Sequence, residues 1–297
     1  MTTQDILKDL RSESVKNIIL DTDAYNEIDD QYAIAYSMLS KEKINVLAFC
    51  AAPFYNDRSS SSGDGMLKSY DEIIKITNFV DPIHNIPIYK GSDKILSSRD
   101  VPVESEAADK IAELVLGSDA PVYIVAIGAI TNVASAIIKY PEIVERSAVI
   151  WLGGHALQHR DTKEFNLAGD VIAAQVVFDS GIPLLQIPCF GVCTEFLTTI
   201  PELEYYLSNK NPLCDYLIDV TRNYTNKPYG WSKVIWDVTA VAVFTKPEAF
   251  RMVDIPRPVI TSDVKYAFDL SRPNYIYVSS IHRDPIYADM FRKLSAV

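Results

Sequence analysis

The chain has 297 residues, 48% of them hydrophobic and 23% charged, with a formal net charge of -11 and a pI near 4.9. That composition suits a globular protein with a substantial core. The acidic balance excludes a duplex-binding surface, which needs clustered Lys and Arg, and points to small molecules or cations as partners.

The N-terminal "MTTQDILKDLRSESVKN" is too polar and acidic for a signal peptide, and no apolar run reaches the roughly 20 residues that span a bilayer. A cytosolic location with no membrane partner is expected. Four cysteines, Cys50, Cys189, Cys193 and Cys214, lack both a disulfide framework and zinc-site spacing, so buried free thiols are expected.

From residue 17 onward, apolar runs of strand length alternate with stretches of helical period. "NIILDTD" precedes "DDQYAIAYSMLS", "INVLAFCAA" precedes "GMLKSYDEIIKIT", and "IPIYKG" precedes "SEAADKIAELVLG". "APVYIVAIGA" leads into "TNVASAIIKYPEIVERS", "AVIWLGG" leads through a polar loop into "GDVIAAQVVFDSG", and "PLLQIPC" opens another helical region. The alternation predicts an α/β fold: a doubly wound, mostly parallel sheet with helices on both faces. No linker or composition break divides the chain, so residues 1–297 are expected to form a single domain with insertions in the C-terminal half.

The stretch "IILDTDAYNEIDDQYAIAY" crowds Asp21, Asp23, Glu27, Asp29 and Asp30 between the first strand and its helix. Ligands collect at the carboxyl ends of parallel strands, where Asp21 and Asp23 fall, while Asp29 and Asp30 begin a helix whose dipole tolerates negative charge. Helix capping accounts for one such Asp, not for four. Like charges this close raise one another's pKa unless a cation neutralises them, and the stretch holds no Lys or Arg. A hard divalent ion would do so, and an all-oxygen donor set favours Ca²⁺ or Mg²⁺ over zinc. Farther on, "AIGAITN" and "WLGGH" end strands in glycine turns, "KEFN" supplies Glu164 and Asn166, and Asp237 interrupts the apolar "SKVIWDVTAVAVF". A buried Asp there needs a cation or several hydrogen bonds.

Together these motifs resemble the nucleoside hydrolases, the inosine-uridine type N-ribohydrolases, from about residue 16 to the C-terminus. "DTDAYNEIDD" resembles the family's Asp-x-Asp followed by Asp-Asp, "AIGAITN" its central glycine-turn element, "WLGGH" and "EFN" its ribose-binding segment, and "WD" its late metal-binding aspartate. The resemblance implies Ca²⁺-dependent hydrolysis of the N-glycosidic bond of ribonucleosides by a homodimer or homotetramer. Asp23, Asp30, Asp237 and the Ile127 carbonyl would be metal ligands. Asp29, Asn166 and Asp237 would grip the ribose 2' and 3' hydroxyls, Glu164 would bind toward the 5' side, and Asn56 and Leu152 would add contacts. Asp23 would take a proton from the attacking water, and Asp21 would support the shell.

Two departures from the family pattern stand out. "AYNEI" between Asp23 and Asp29 is two residues longer than the family's spacing, which would bring Asn26 or Glu27 into the pocket. Trp236 stands before Asp237 where non-specific members carry His; purine-specific members carry Trp-Asp. Trp236 would then stack on a purine, with Tyr229, Trp231 or Phe54 on its other face, and His155 or His159 could reach the leaving group or the 5'-hydroxyl. Other readings compete: a dehalogenase-type phosphotransferase, which expects Thr or Val where Tyr25 stands, a catalytically weak nucleoside-binding or sensing protein, and a hydrolase of a modified ribosylated substrate. Dinucleotide binding lacks its "GxGxxG".

Overall fold

The computed structural model describes residues 2–297, and its order of elements follows the sequence pattern closely up to residue 187. Helix α1 (Thr3–Leu10), closed by a Thr2–Asp5 capping box, precedes β1 (Lys16–Thr22). Then come α2 (Asp30–Leu39), β2 (Ile44–Ala51), α3 (Ser62–Val80), β3 (Ile88–Lys90), α4 (Glu106–Gly117), β4 (Val122–Ala126), α5 (Thr131–Lys139) and β5 (Ser147–Leu152). Short α6 (Phe165–Gly169) and α7 (Val171–Asp179) lead to β6 (Leu184–Ile187). Every residue of β4, β5 and β6 is buried, as continuous apolar strands covered on both faces should be.

The C-terminal part is less regular. A ribbon of β7 (Leu197–Thr198) and β8 (Lys233–Val234) encloses α8 (Ile200–Leu207) and α9 (Pro212–Asn223). After α10 (Val238–Thr245) come β9 (Phe250–Pro256), a ribbon of β10 (Val259–Ile260) with β11 (Tyr266–Ala267), β12 (Asn274–Ile281) and α11 (Arg283–Leu294).

The main sheet has eight strands in the order 3-2-1-4-5-6-12-9, all parallel except the antiparallel edge strand β9. Two apolar layers sandwich it. Ile18 and Leu20 of β1 face α2, α10 and α11, whereas Ile19 faces the layer built with α4, α5 and α7. The chain winds outward from β1 to β3, then returns to β4 on β1's other side. That reversal leaves a crevice beyond the carboxyl ends of β1 and β4, the usual ligand site of open parallel sheets. All four cysteines are buried and free, and among the described residues no helix is long and apolar enough to cross a membrane.

Gly91, just after β3, shows how tightly the strand ends close: a Cβ there would lie 1.9 Å from the Ala51 carbonyl oxygen and 2.4 Å from Asn132 Nδ2. Both neighbours are fixed, one by the backbone and the other by Asp21. Gly91→Ala should therefore lower stability by about 1–3 kcal/mol through overpacking, read as a lower midpoint in urea unfolding with an unchanged slope.

Candidate active site

Asp23 directly follows β1, Asp29 is the N-cap residue of α2 and Asp30 its first helical residue, and Asp237 is the N-cap residue of α10. The Asp29 and Asp237 side chains make no capping bond; the Asp237 backbone N–H meets the Asp29 carboxyl, and the Asp30 and Asp237 carboxyls meet each other. Each of Asp29, Asp30 and Asp237 offers an oxygen within 4.8 Å of the others, and all three are buried. Asp23 lies outside that tight group but within its field: Asp30 and Asp29 both act on its carboxyl. Its Oδ2 is buried with no hydrogen-bond partner among the described residues.

Burial and mutual repulsion push these carboxyls upward. Burial is the larger cause throughout; it takes Asp30 to about 7, and the Asp29 charge adds to it. Asp29 rises only to about 6, because Lys233 opposes the burial. Asp23 and Asp237 are raised well above the carboxylate range by burial and by the neighbouring aspartates. Asp21, one turn of the strand deeper, reaches about 7 through burial even though Asn132 Nδ2 donates to its Oδ1 at 2.7 Å.

Lys233 is the cation that the first loop itself lacks. Its ammonium pairs with Glu27 and stands 4.0 Å from Asp29 Oδ1. Burial works against its charge, but Asp29 and Glu27 together hold its pKa above the ordinary lysine value. The Tyr224 hydroxyl donates to Glu27 Oε1 at 2.8 Å, and Arg58 donates to the Glu27 carbonyl at 2.8 Å. The long loop between Asp23 and Asp29 is thus tied down on both sides. It does deliver Asn26 and Glu27 to the wall of the cavity.

That cavity, of about 210 Å³, is walled by Asp23, Asp29 and Asp237 on the acidic side. Ile127, Leu152, Glu164 and Asn166 also line it, as do Trp236 and Phe190. Asn166 Nδ2 donates to the carbonyls of Ile127 at 3.1 Å and Leu152 at 3.0 Å. It fixes the ends of β4 and β5 relative to each other, and no protein donor among the described residues bonds its Oδ1. Glu164 is committed to the backbone: its carboxylate accepts the N–H groups of Gly154, Asn166 and Leu167 at 2.8–3.0 Å and caps α6. Asn56 is off the wall. Its amide donates to Asn26 Oδ1 at 2.6 Å, so it braces a wall residue.

Of the aromatic partners expected for Trp236, Tyr229 is fully exposed, and Trp231 and Phe54 also lie off the wall. The ring beside Trp236 is Phe190, edge-on at 5.5 Å and 85°. It follows β6 in "IPCFG", where its spacing gave no signal.

Residues 18–267 match the family model described as inosine-uridine preferring nucleoside hydrolase. The chain belongs to that family. It is therefore a ribonucleoside hydrolase, an enzyme that cleaves N-glycosyl bonds. The non-specific ribonucleoside hydrolase RihC of Salmonella schwarzengrund (strain CVM19633) is 27% identical over 256 residues, 80% of each chain. Among solved structures, the plant nucleoside hydrolase PpNRh1 superposes with a TM-score of 0.78 at 20% identity, covering 96% of this chain and all of that one. The purine-preferring ribonucleoside hydrolase from Gardnerella vaginalis gives 0.78 at 21% identity, over 95% and 98%. The doubly wound, mostly parallel fold is shared with both.

Folded Asp21, Asp29 and Asp30 hold protons more tightly than an unfolded carboxylate, so between about pH 4 and pH 7 the metal-free folded state binds more protons than the unfolded one. Stability of chelator-treated protein should fall as pH rises through that window, and Asp23 and Asp237, also raised by burial and their neighbours, add to the fall. Thermal unfolding at pH 5, 6, 7 and 8 reads this directly, and a divalent cation should restore most at the alkaline end.

Lys233→Met should leave Asp29 without its cation. The expected loss of stability is below the roughly 3–5 kcal/mol of a fully buried pair, because Glu27 is about a third exposed; denaturant unfolding of the two proteins measures it.

Proposed function

We propose that this enzyme binds one Ca²⁺ at the acidic cluster and hydrolyses ribonucleosides with a preference for purines. The observation that carries the reading is the meeting of Asp29, Asp30 and Asp237 oxygens within 4.8 Å on a cavity that also holds the unpartnered Asp23 Oδ2 and the Trp236 ring. The donors are all hard oxygens, and their raised pKa values mark a set that needs a positive charge to ionise together. The residues present fit such an ion: Asp23, Asp30 and Asp237 would hold it with the Ile127 carbonyl, whose oxygen keeps a lone pair beyond its bond to Asn166. When bound, the ion would polarise the attacking water and the sugar hydroxyls it touches.

The chain's own groups do the remaining work. Asp23 Oδ2, free of protein partners, accepts the water's proton. Asp29, kept ionised by Lys233, and Asn166 Oδ1 accept hydrogen bonds from the ribose 2' and 3' hydroxyls, together with Asp237. Carboxylates around the sugar favour the positive charge that grows on its ring as the bond to the base stretches. Glu164 holds the Gly154 turn and α6 in place at the 5' side, next to the Leu152 carbonyl. Trp236, buttressed by Phe190, offers a face on which a purine has more area to stack than a pyrimidine.

Base release from inosine, guanosine, adenosine, uridine and cytidine, with and without chelator, tests the reading. Purine release should exceed pyrimidine release and stop on chelation, and Asp23→Ala should lower kcat about 10²- to 10⁴-fold. Trp236→Ala should lower purine turnover more than pyrimidine turnover. Release that ignores the chelator, or equal losses on both base classes, would contradict the metal and stacking parts respectively.

A further inference from the structure

Cleaving a nucleoside moves two protons in opposite directions. The attacking water loses one, and the departing base, which carries away the electron pair of the broken C–N bond, needs one. A site built for the whole reaction therefore holds an acceptor and a donor. Among the described residues, seven buried side-chain atoms lack a hydrogen-bond partner, and two of them belong to residues of the active-site wall: Asp23 Oδ2 and His155 Nδ1. The first is the acceptor already described.

We propose that His155 is the acid that protonates the leaving base. This rests on the hydrolase reading of the same cavity. His155 is 8% exposed and closely held. Its N–H donates to Thr162 Oγ1 at 2.9 Å and its carbonyl accepts from the Tyr266 hydroxyl at 3.2 Å. Its ring packs against Phe190 at 4.9 Å and His159 at 5.5 Å, and its buried Nδ1 has no hydrogen-bond partner among the described residues. Because Phe190 also meets the edge of Trp236, the imidazole belongs to the aromatic wall that would receive the base.

Of the other proton carriers on that wall, Asp23, Asp29 and Asp237 serve the water, the ribose hydroxyls and the cation in the reading above, Glu27 pairs with Lys233, and the rest are occupied or unsuited. Both oxygens of Glu164 accept backbone N–H groups. Burial pushes the Cys189 thiol well up, and the Glu164 carboxylate adds to the shift. The Trp236 indole is a hydrogen-bond donor but not an acid in this range. Lys163 is exposed at the cavity's edge. Around His155, burial and His159 lower its pKa while Asp161 opposes them, so the protonated ring gives up its proton more readily than an ordinary histidine.

In the step itself, the C1'–N bond breaks with its electron pair moving onto the base, and the His155 imidazolium gives its proton to a base ring nitrogen. Water supplies the hydroxyl to C1' and its remaining proton goes to Asp23. His155 then regains a proton from solvent and Asp23 releases one, so the sum is nucleoside plus water to base plus ribose.

The test compares inosine with 4-nitrophenyl riboside, whose nitrophenolate departs without a proton, for the wild type, His155→Gln and His155→Ala. Inosine kcat should fall by about 10²-fold or more in both variants, while 4-nitrophenyl riboside turnover stays within about threefold of wild type and certifies that each variant is folded. Unchanged inosine turnover, or equal losses on both substrates in both variants, overturns the assignment. A wild type that releases no base from inosine contradicts the hydrolase reading instead, before any variant is measured.

Discussion

The constraint on which the site depends is electrostatic. Asp23, Asp29, Asp30 and Asp237 are buried at one edge of the sheet, with the Lys233 ammonium 4.0 Å from Asp29 as the nearby cation. Ionised carboxylates removed from water cost several kcal/mol each unless paired. Left to themselves, Asp23, Asp30 and Asp237 favour the protonated form while Lys233 opposes protonation of Asp29, and Thr22, whose hydroxyl donates to Asp30, is a neutral partner that cannot balance the charge. The cluster stores an unmet demand for positive charge. On the proposed function, a cation would meet it at rest, and the growing charge on a ribose ring would meet part of it during reaction.

The fold makes that arrangement possible by concentrating rigid backbone around it. Asp23 directly follows a strand with parallel neighbours on both sides, and the Ile127 N–H bonds the Asp21 carbonyl at 2.8 Å, locking β4 to β1 at the crevice. Asn132 ties Asp21 to the Ala51 carbonyl and to Ser92, so three strand ends meet through one amide. Asn166 does the same for the ends of β4 and β5. A site whose supports are strand ends and crossing amides can hold like charges close where a free loop would spread them.

Much of this was legible in the sequence, and the physical reason is locality. The β-α alternation up to Ile187 follows from period and burial within each segment, and the acidic crowding of residues 21–30 lies in one stretch. A loop two residues longer than the resembled family's spacing was expected to bring Asn26 or Glu27 into the pocket, and both line it. What escaped depends on distant partners: β12 reaches β6 only after the intervening helices and ribbons, so no strand-to-helix rhythm announces it. Lys233 meets Asp29 across some two hundred positions, and Phe190 reaches Trp236 only because the turn after β6 and the N-terminal end of α10 face the same cavity. Asn56 and Glu164 were visible as polar residues near strand ends, but their bonds to Asn26 and to backbone N–H groups are set by folding, not by residue type.

The central claim, that the carboxylates form one cation site and hold protons when no cation is bound, is tested most directly by calorimetric titration of the chelator-treated protein with Ca²⁺ at pH 7. Running it in two buffers of different ionisation enthalpy counts the protons exchanged. The account predicts one ion per chain with net release of protons, because Asp30 and its neighbours are partly protonated without the ion. Absence of saturable binding, or binding with no proton release, would contradict it.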